Sequence, residues 1–158
     1  MDKILISILL IVCLCSTNIF AQKYALIDEH GDIYDVNKKY IGALLKDGTV
    51  LDDKNFMVAH IDNHGYAIVK KNNFRICNTN VEGDLTATFQ NKVFNWKTYY
   101  PTKGSELCEV KEKDTNGEII VLVHKKYKQY GSSAYYSIMY LREGLLKIGN
   151  KKQKGKQK

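Results

Sequence analysis

The chain has 158 residues, of which 26% are charged and 44% are hydrophobic, with one proline, eleven glycines and eleven tyrosines. This length suits a single domain with a real core, and the composition excludes a wholly disordered chain. The formal net charge of +7 does not indicate a nucleic-acid-binding surface, because six lysines fall in the last twelve residues, where no acidic residue occurs.

Residues 1–21 are typical of a secretory signal peptide. Lys3 gives a positive start, residues 4–15 are apolar, and a polar break at 16–18 precedes Ala21. Cleavage after Ala21 predicts an exported protein, either periplasmic, associated with the outer envelope or secreted, with no transmembrane segment left. The alternative is an uncleaved anchor, although the apolar run is shorter than the about 20 residues that a spanning helix needs.

The next stretch repeats one short motif. Gly31, Gly48 and Gly65 stand 17 residues apart, and a degraded copy follows at Gly83. Each copy holds a glycine-terminated turn, a short β-compatible run and a polar loop, which is the pattern of a β-hairpin. Such hairpins are marginal alone, so they must pack on one another.

A fifth hairpin is predicted over 107–124, around Asn116-Gly117. The sequence therefore predicts a mainly β domain over 22–146, in which about five hairpins pack around a common core. The period then changes and predicts one short helix over about 132–143, with Ser132 or Ser133 as its N-cap and Gly144 near its end. Residues 147–158 read as a disordered, lysine-rich tail.

The motif of 31–47, with Gly31, Tyr34, Asp35, Tyr40 and Asp47, resembles the 5-fold beta-flower proteins, small exported bacterial proteins built from hairpin repeats of about 17 residues. The resemblance covers roughly 24–124 and rests on turn and strand residues. It implies a fivefold arrangement of hairpins and export. It carries no catalytic residues to this chain.

The mature chain retains Cys77 and Cys108. In an exported protein such a pair can form a disulfide, which would close a loop of about 30 residues and stabilise the fold by roughly 3–4 kcal/mol. Two buried free thiols are the alternative.

His60, Asp62 and His64 form the one cluster in the sequence that resembles metal ligands. The spacing of the two histidines suits a metal only on a helix, whereas the repeat predicts a strand running into a turn. No other nucleophile, base or phosphate-binding motif emerges, so no catalytic residue and no cofactor are predicted.

Trp96, Tyr99 and Tyr100 form a candidate binding surface, because aromatic side chains beside basic residues can stack on sugars or present a protein-binding patch. The alternative is that Trp96 fills the core with Phe94 while the two tyrosines cover it.

These observations favour a non-catalytic exported or envelope module that acts by binding or as a structural element. A metal-dependent hydrolase using His60, Asp62 and His64 is one alternative. Binding to an anionic surface through the lysine-rich tail is another. The expected partners are an envelope protein, a glycan or an anionic surface, with no specific nucleic acid.

Overall fold

The computed structural model describes residues 24–100, 103–113 and 117–154, with the backbone alone over 143–154. The predicted signal peptide, the Asn116 turn position and residues 155–158 lie outside these described residues.

The described chain folds into eleven strands, one turn of 3₁₀-helix at Lys125–Tyr127 and one α-helix. In chain order the strands are β1 (Ala25–Ile27), β2 (Asp32–Tyr34), β3 (Tyr40–Leu44), β4 (Thr49–Asp52), β5 (Met57–Ile61), β6 (Tyr66–Val69), β7 (Phe74–Thr79), β8 (Leu85–Phe89), β9 (Lys92–Tyr99), β10 (Leu107–Glu112) and β11 (Ile119–His124). The helix, α1, spans Gly131–Lys154.

The strands form one closed sheet. Each strand from β1 to β11 pairs antiparallel with its neighbour in sequence, and β1 pairs parallel with β11, with Ala25 opposite Val121. The prediction of a mainly β fold made of repeated hairpins around a common core is confirmed. The structure adds the closure of the sheet.

The glycine repeat has a direct physical reason. The carbonyl oxygens of Gly31, Gly48 and Gly65 accept 2.8 Å hydrogen bonds from the backbone N–H groups of Leu44, Ile61 and Thr79, each at the end of the second strand of the hairpin that the glycine begins. At Gly65, φ is +83°, and an added Cβ would lie 1.9 Å from the Thr79 carbonyl oxygen. Glycine is therefore needed at this position both for its backbone conformation and for the close approach of the next strand.

The first part of α1 fills the interior of the sheet. Residues 131–138 are buried on every face of the helix, and Ala134, Tyr135 and Ile138 belong to the same apolar cluster as inward-facing strand residues such as Val50 and Val121. The helix is thus enclosed by the sheet over its first eight residues.

The predicted C-terminal helix is confirmed, but two details of it differ from the prediction. The Oγ of Ser132 donates to the Gly83 carbonyl oxygen at 2.8 Å and that of Ser133 to Thr79 Oγ1 at 3.4 Å, so both serines bind the surrounding sheet instead of capping. The helix also continues to Lys154, past the predicted end at 143 and into the predicted disordered tail. Lysine and glutamine favour helices, and a single glycine such as Gly144 costs only about 1 kcal/mol.

The antiparallel order places alternate turns at opposite ends of the closed sheet. We call one end the glycine rim and define it by the turns at 28–31, 45–48, 62–65 and 80–84; the connection from β9 to β10, which carries Tyr100 and Glu106, lies at the same end. We call the other the lysine rim and define it by the loops at 35–39, 52–56, 69–74 and 89–93; the connection from β10 to β11, which carries Lys113 and Glu118, lies at that end. Helix α1 begins at the glycine rim and reaches the lysine rim near Tyr140, whose ring lies 4.9 Å from that of Phe89. Strand β1 also starts at the lysine rim.

Candidate functional site

The predicted metal ligands do not converge. His60 lies in β5 between the buried residues Ala59 and Ile61, so its side chain faces outwards, and His64 is exposed in the following turn. Asp62 Oδ1 accepts hydrogen bonds of 2.9 Å from the backbone N–H groups of His64 and Tyr66. Within the described part of the chain, no group of three His, Cys, Asp or Glu side chains is placed to hold a metal ion. Asp62 serves the turn.

The two cysteines are free and buried, which is the alternative to the predicted disulfide. Cys77 lies on β7 and Cys108 on β10, with β8 and β9 between them. Three strand spacings amount to roughly 14 Å, about twice the Cα separation that a disulfide allows. Burial raises the pKa of the Cys77 thiol to about 12, and the thiol donates to Ser133 Oγ at 3.4 Å. It is therefore protonated and unreactive at neutral pH.

The predicted aromatic surface divides into a core residue and two exposed ones. Trp96 is 7% exposed and packs against Tyr135 and Tyr136 of α1, with ring centroids 6.4 and 5.7 Å apart. Tyr99 is 43% exposed and Tyr100 is 65% exposed, both at the glycine-rim end of β9. Trp96 thus fills the core as in the alternative interpretation, and the three side chains do not form one patch.

Tyr100 contacts a charged side chain of the same protein. The Nζ of Lys128 lies 3.7 Å from the Tyr100 ring centroid, donates to its hydroxyl, and is 3.1 Å from Glu82 Oε2. These contacts tie the 3₁₀ segment to the neighbouring turn, and they occupy Tyr100 with contacts inside the protein.

The glycine rim is acidic. Its four turns carry six acidic residues and one lysine: Asp28, Glu29, Asp47, Asp62, Glu82 and Asp84 against Lys46. Three more lysines from the 3₁₀ segment lie there, each within 4.0 Å of a carboxylate: Lys125 of Glu106, Lys126 of Glu29 and Lys128 of Glu82.

Two carboxylates at this end have lowered pKa values because of neighbouring donors. A 2.9 Å hydrogen bond from the Thr49 backbone N–H holds the pKa of the Asp47 carboxyl below its ordinary value. The Lys125 ammonium, 2.7 Å away, holds the pKa of Glu106 below its ordinary value. Both groups are therefore ionised at neutral pH, and both support local structure.

The lysine rim differs in composition. Its four loops carry six lysines and three acids: Lys38, Lys39, Lys54, Lys70, Lys71 and Lys92 against Asp35, Asp52 and Asp53. All six lysines are exposed, and within the described residues none of them lies within 4.0 Å of a carboxylate.

The same loops expose large apolar side chains. Phe56 is 67% exposed and Phe74 is 60% exposed, and Val36, Met57 and Val93 are also exposed. All four lysine-rim loops therefore combine at least one lysine with an apolar side chain at or beside the tip.

Two shallow clefts flank α1 where it reaches the lysine rim. One, of about 210 Å³, is aromatic and is lined by residues that include Phe89, Phe94, Met139 and Tyr140. The other, of about 220 Å³, has mixed walls that include Asp53, Lys54, Leu141 and Arg142.

Sequence reasoning missed the lysine rim because it treated these loops only as polar connections. A usable signal was present, since Lys54-Asn55-Phe56 and Asn73-Phe74 set a phenylalanine next to turn residues. Phenylalanine is usually buried, so an exposed position for either ring does not follow from the sequence alone.

No protein-family model matches the chain, and no curated protein and no solved structure matches it. Over the helical residues that the structure describes, no segment is long and apolar enough to cross a membrane.

Proposed function

We propose that this chain is a non-catalytic, exported or envelope-associated module that acts by binding through its surface. The observation that carries the proposal is the contrast between the two ends of one closed sheet. One rim is acidic and internally bonded, whereas the other exposes lysines and apolar side chains together. Exposed apolar groups beside charges are typical of interaction surfaces.

The interior supports the same assignment. Helix α1 occupies the space inside the sheet, and the buried Cys77 thiol stays protonated because its pKa is raised to about 12. Carboxylates at the turns accept backbone hydrogen bonds, as Asp62 does from His64 and Tyr66. These groups stabilise the scaffold, which favours binding over the alternative of a hydrolase centred on His60.

Membership of the 5-fold beta-flower proteins is part of this proposal. It is supported by the 17-residue spacing of Gly31, Gly48 and Gly65 and by five hairpins that share one core. Export is supported by the composition of residues 1–21.

Attachment to an anionic surface through the lysine-rich C-terminal segment is a second candidate. One observation favours it: α1 runs from the interior of the sheet to the lysine rim. Lys147 and the lysines after it therefore continue the chain from the basic end of the molecule.

The mass and metal content of the protein recovered from the producing cells test the main proposal. We expect a chain beginning at Gln22, with both cysteines available for alkylation after unfolding and no stoichiometric metal. A bound metal that is lost in a His60→Ala/His64→Ala variant would contradict it and favour the hydrolase. Retention of the protein in the cytoplasm would contradict export.

A further inference from the structure

We propose that the lysine rim is a docking surface for a bilayer rich in anionic phospholipids. The inference deepens the proposed binding role, on which it rests, by naming the surface and the chemistry of its partner. It concerns the hairpin loops of the closed sheet, and it is separate from attachment through the C-terminal lysines.

The first step is that the apolar tips are held outwards by the turns themselves. The Phe56 backbone N–H donates to Asp52 Oδ1 at 2.9 Å, and the Phe74 backbone N–H donates to Asn72 Oδ1 at 3.2 Å. Asn55 and Asn73 adopt positive φ values of 63° and 53°, which asparagine tolerates well. The backbone that carries the two exposed rings is therefore held in place, and little backbone ordering is needed when the rings are buried against a partner.

The second step is charge. Lysine outnumbers acid by six to three in the lysine-rim loops, and acid outnumbers lysine by six to one in the glycine-rim turns. Of the three lysine-rim acids, Asp35 and Asp52 each accept two hydrogen bonds from the backbone of their own turns. At the glycine rim, Lys125, Lys126 and Lys128 each lie within 4.0 Å of a carboxylate. An anionic surface would therefore find exposed lysines without a carboxylate neighbour among the described residues of the lysine rim, where acids are fewer.

The third step is the pairing of the two features. A polyanion such as a sulfated glycan needs only the ammonium groups, whereas a lipid interface takes up aromatic rings between its head groups and binds lysines at the same depth. Lys54 stands two residues from Phe56, and Lys71 stands three residues from Phe74. The rings and the ammonium groups thus lie on the same loops, as a head-group interface requires.

The fourth step is the position of the chain ends. Strand β1 starts at the lysine rim, and α1 reaches the same end near Tyr140. A bilayer beneath the lysine rim would therefore meet the start of the first strand and the emerging helix on one side of the molecule.

Sedimentation with vesicles of equal parts phosphatidylglycerol and phosphatidylcholine tests the proposal. We expect the purified protein to bind these vesicles, and a Phe56→Ala/Phe74→Ala variant to bind at least tenfold more weakly. The matched control is Leu45→Ala/Val81→Ala, which removes two exposed apolar side chains from the glycine rim and should change binding less than twofold. Equal loss in both variants, or no loss in the first, would overturn the proposal.

The charges are tested in the same assay. Lys70→Glu/Lys71→Glu should lower vesicle binding by more than tenfold, with a difference that shrinks as salt is raised, whereas Lys46→Glu on the glycine rim should not. Vesicles of phosphatidylcholine alone should bind weakly. Binding that disappears only on deletion of 147–158 would assign the effect to the C-terminal segment and would contradict docking through the rim.

A second measurement separates lipid from polyanion. Phe56→Trp should show a blue-shifted emission when phosphatidylglycerol vesicles are added, above the background of the buried Trp96. Binding to heparin that matches vesicle binding in strength and ignores the Phe56→Ala/Phe74→Ala change would replace the bilayer by a polyanion. Absence of vesicle binding in a correctly exported protein would overturn the docking proposal and leave the proposed export intact.

Discussion

The glycine rim and the lysine rim end the same strands, yet they use the chain differently. At the glycine rim, carbonyl groups of turn glycines accept hydrogen bonds from the second strand of the hairpin that each turn begins, and Tyr127 donates its hydroxyl to the His30 carbonyl oxygen at 2.9 Å. At the lysine rim, the loops protrude and leave Phe56 and Phe74 exposed. One end joins the hairpins to one another, and the other end presents them to the outside.

This difference teaches that one repeat can carry two kinds of constraint. The glycine turn is constrained by the close approach of the second strand of its own hairpin, which is why Gly31, Gly48 and Gly65 recur at a fixed spacing. The opposite loop contacts less of the fold, so its residues are freer to serve a partner. We therefore expect mutations at the glycine rim to change stability, and mutations at the lysine rim to change binding.

The largest expected effect on the free energy of unfolding is at Gly65, a turn residue of the glycine rim. Gly65→Ala should lower the free energy of unfolding by about 3–5 kcal/mol, because the new methyl group meets the Thr79 carbonyl oxygen and φ is positive. The control is Gly104→Ala, at a φ of +94° with no atom within 4 Å of the added Cβ, which should cost about 1–2 kcal/mol. Urea unfolding followed by Trp96 fluorescence measures both, and equal costs would contradict the role assigned to the close approach.

A smaller effect on stability tests a feature that the two rims share, namely a turn aspartate that accepts backbone hydrogen bonds. Asp62 on the glycine rim and Asp52 on the lysine rim each accept two backbone hydrogen bonds through Oδ1. Replacement of either by alanine should cost about 1–2 kcal/mol. Asp62→Asn should cost less, because Asn80 already performs this role for the backbone N–H groups of Glu82 and Asp84. Thermal unfolding of the three variants would show whether the carboxamide suffices.

The smallest effect is a titration. Because the Thr49 backbone N–H stabilises the ionised carboxyl, Asp47 should titrate below its ordinary value of 3.8. The sign follows from linkage: a lowered folded-state pKa gives stability that is present above 3.8 and is lost as pH falls through the folded value. Carbon-detected NMR of the side-chain carboxyl measures the midpoint, and a value at or above 3.8 would contradict the structure.

The hairpins could be predicted because their signals are local. Glycine-terminated turns such as 62–65 and apolar alternation along β5 lie within a few residues of one another, and the structure has strands where these patterns predicted them. The parallel pairing of Ala25 with Val121 could not be predicted, since it joins residues far apart in sequence through contacts that leave no local pattern.

The helix and the surface show why the rest escaped prediction. The apolar face of α1 predicted an amphipathic helix, whereas burial on every face depends on small side chains such as Ser132, Ser133 and Ser137 fitting against the sheet. Phe56 and Phe74 were missed for the opposite reason, because average burial preferences place phenylalanine inside. Only the three-dimensional arrangement shows that these rings and the loop lysines share one end.

The parallel contact between β1 and β11 also sets the order in which the molecule can be assembled. The first strand to be synthesised finds its second partner only when the last strand has been made, and α1, which fills the interior, follows every strand in the chain. Such long-range pairing slows folding and postpones it until nearly the whole chain is available. A chain that still lacks β11 and α1 therefore can neither close its sheet nor fill its interior.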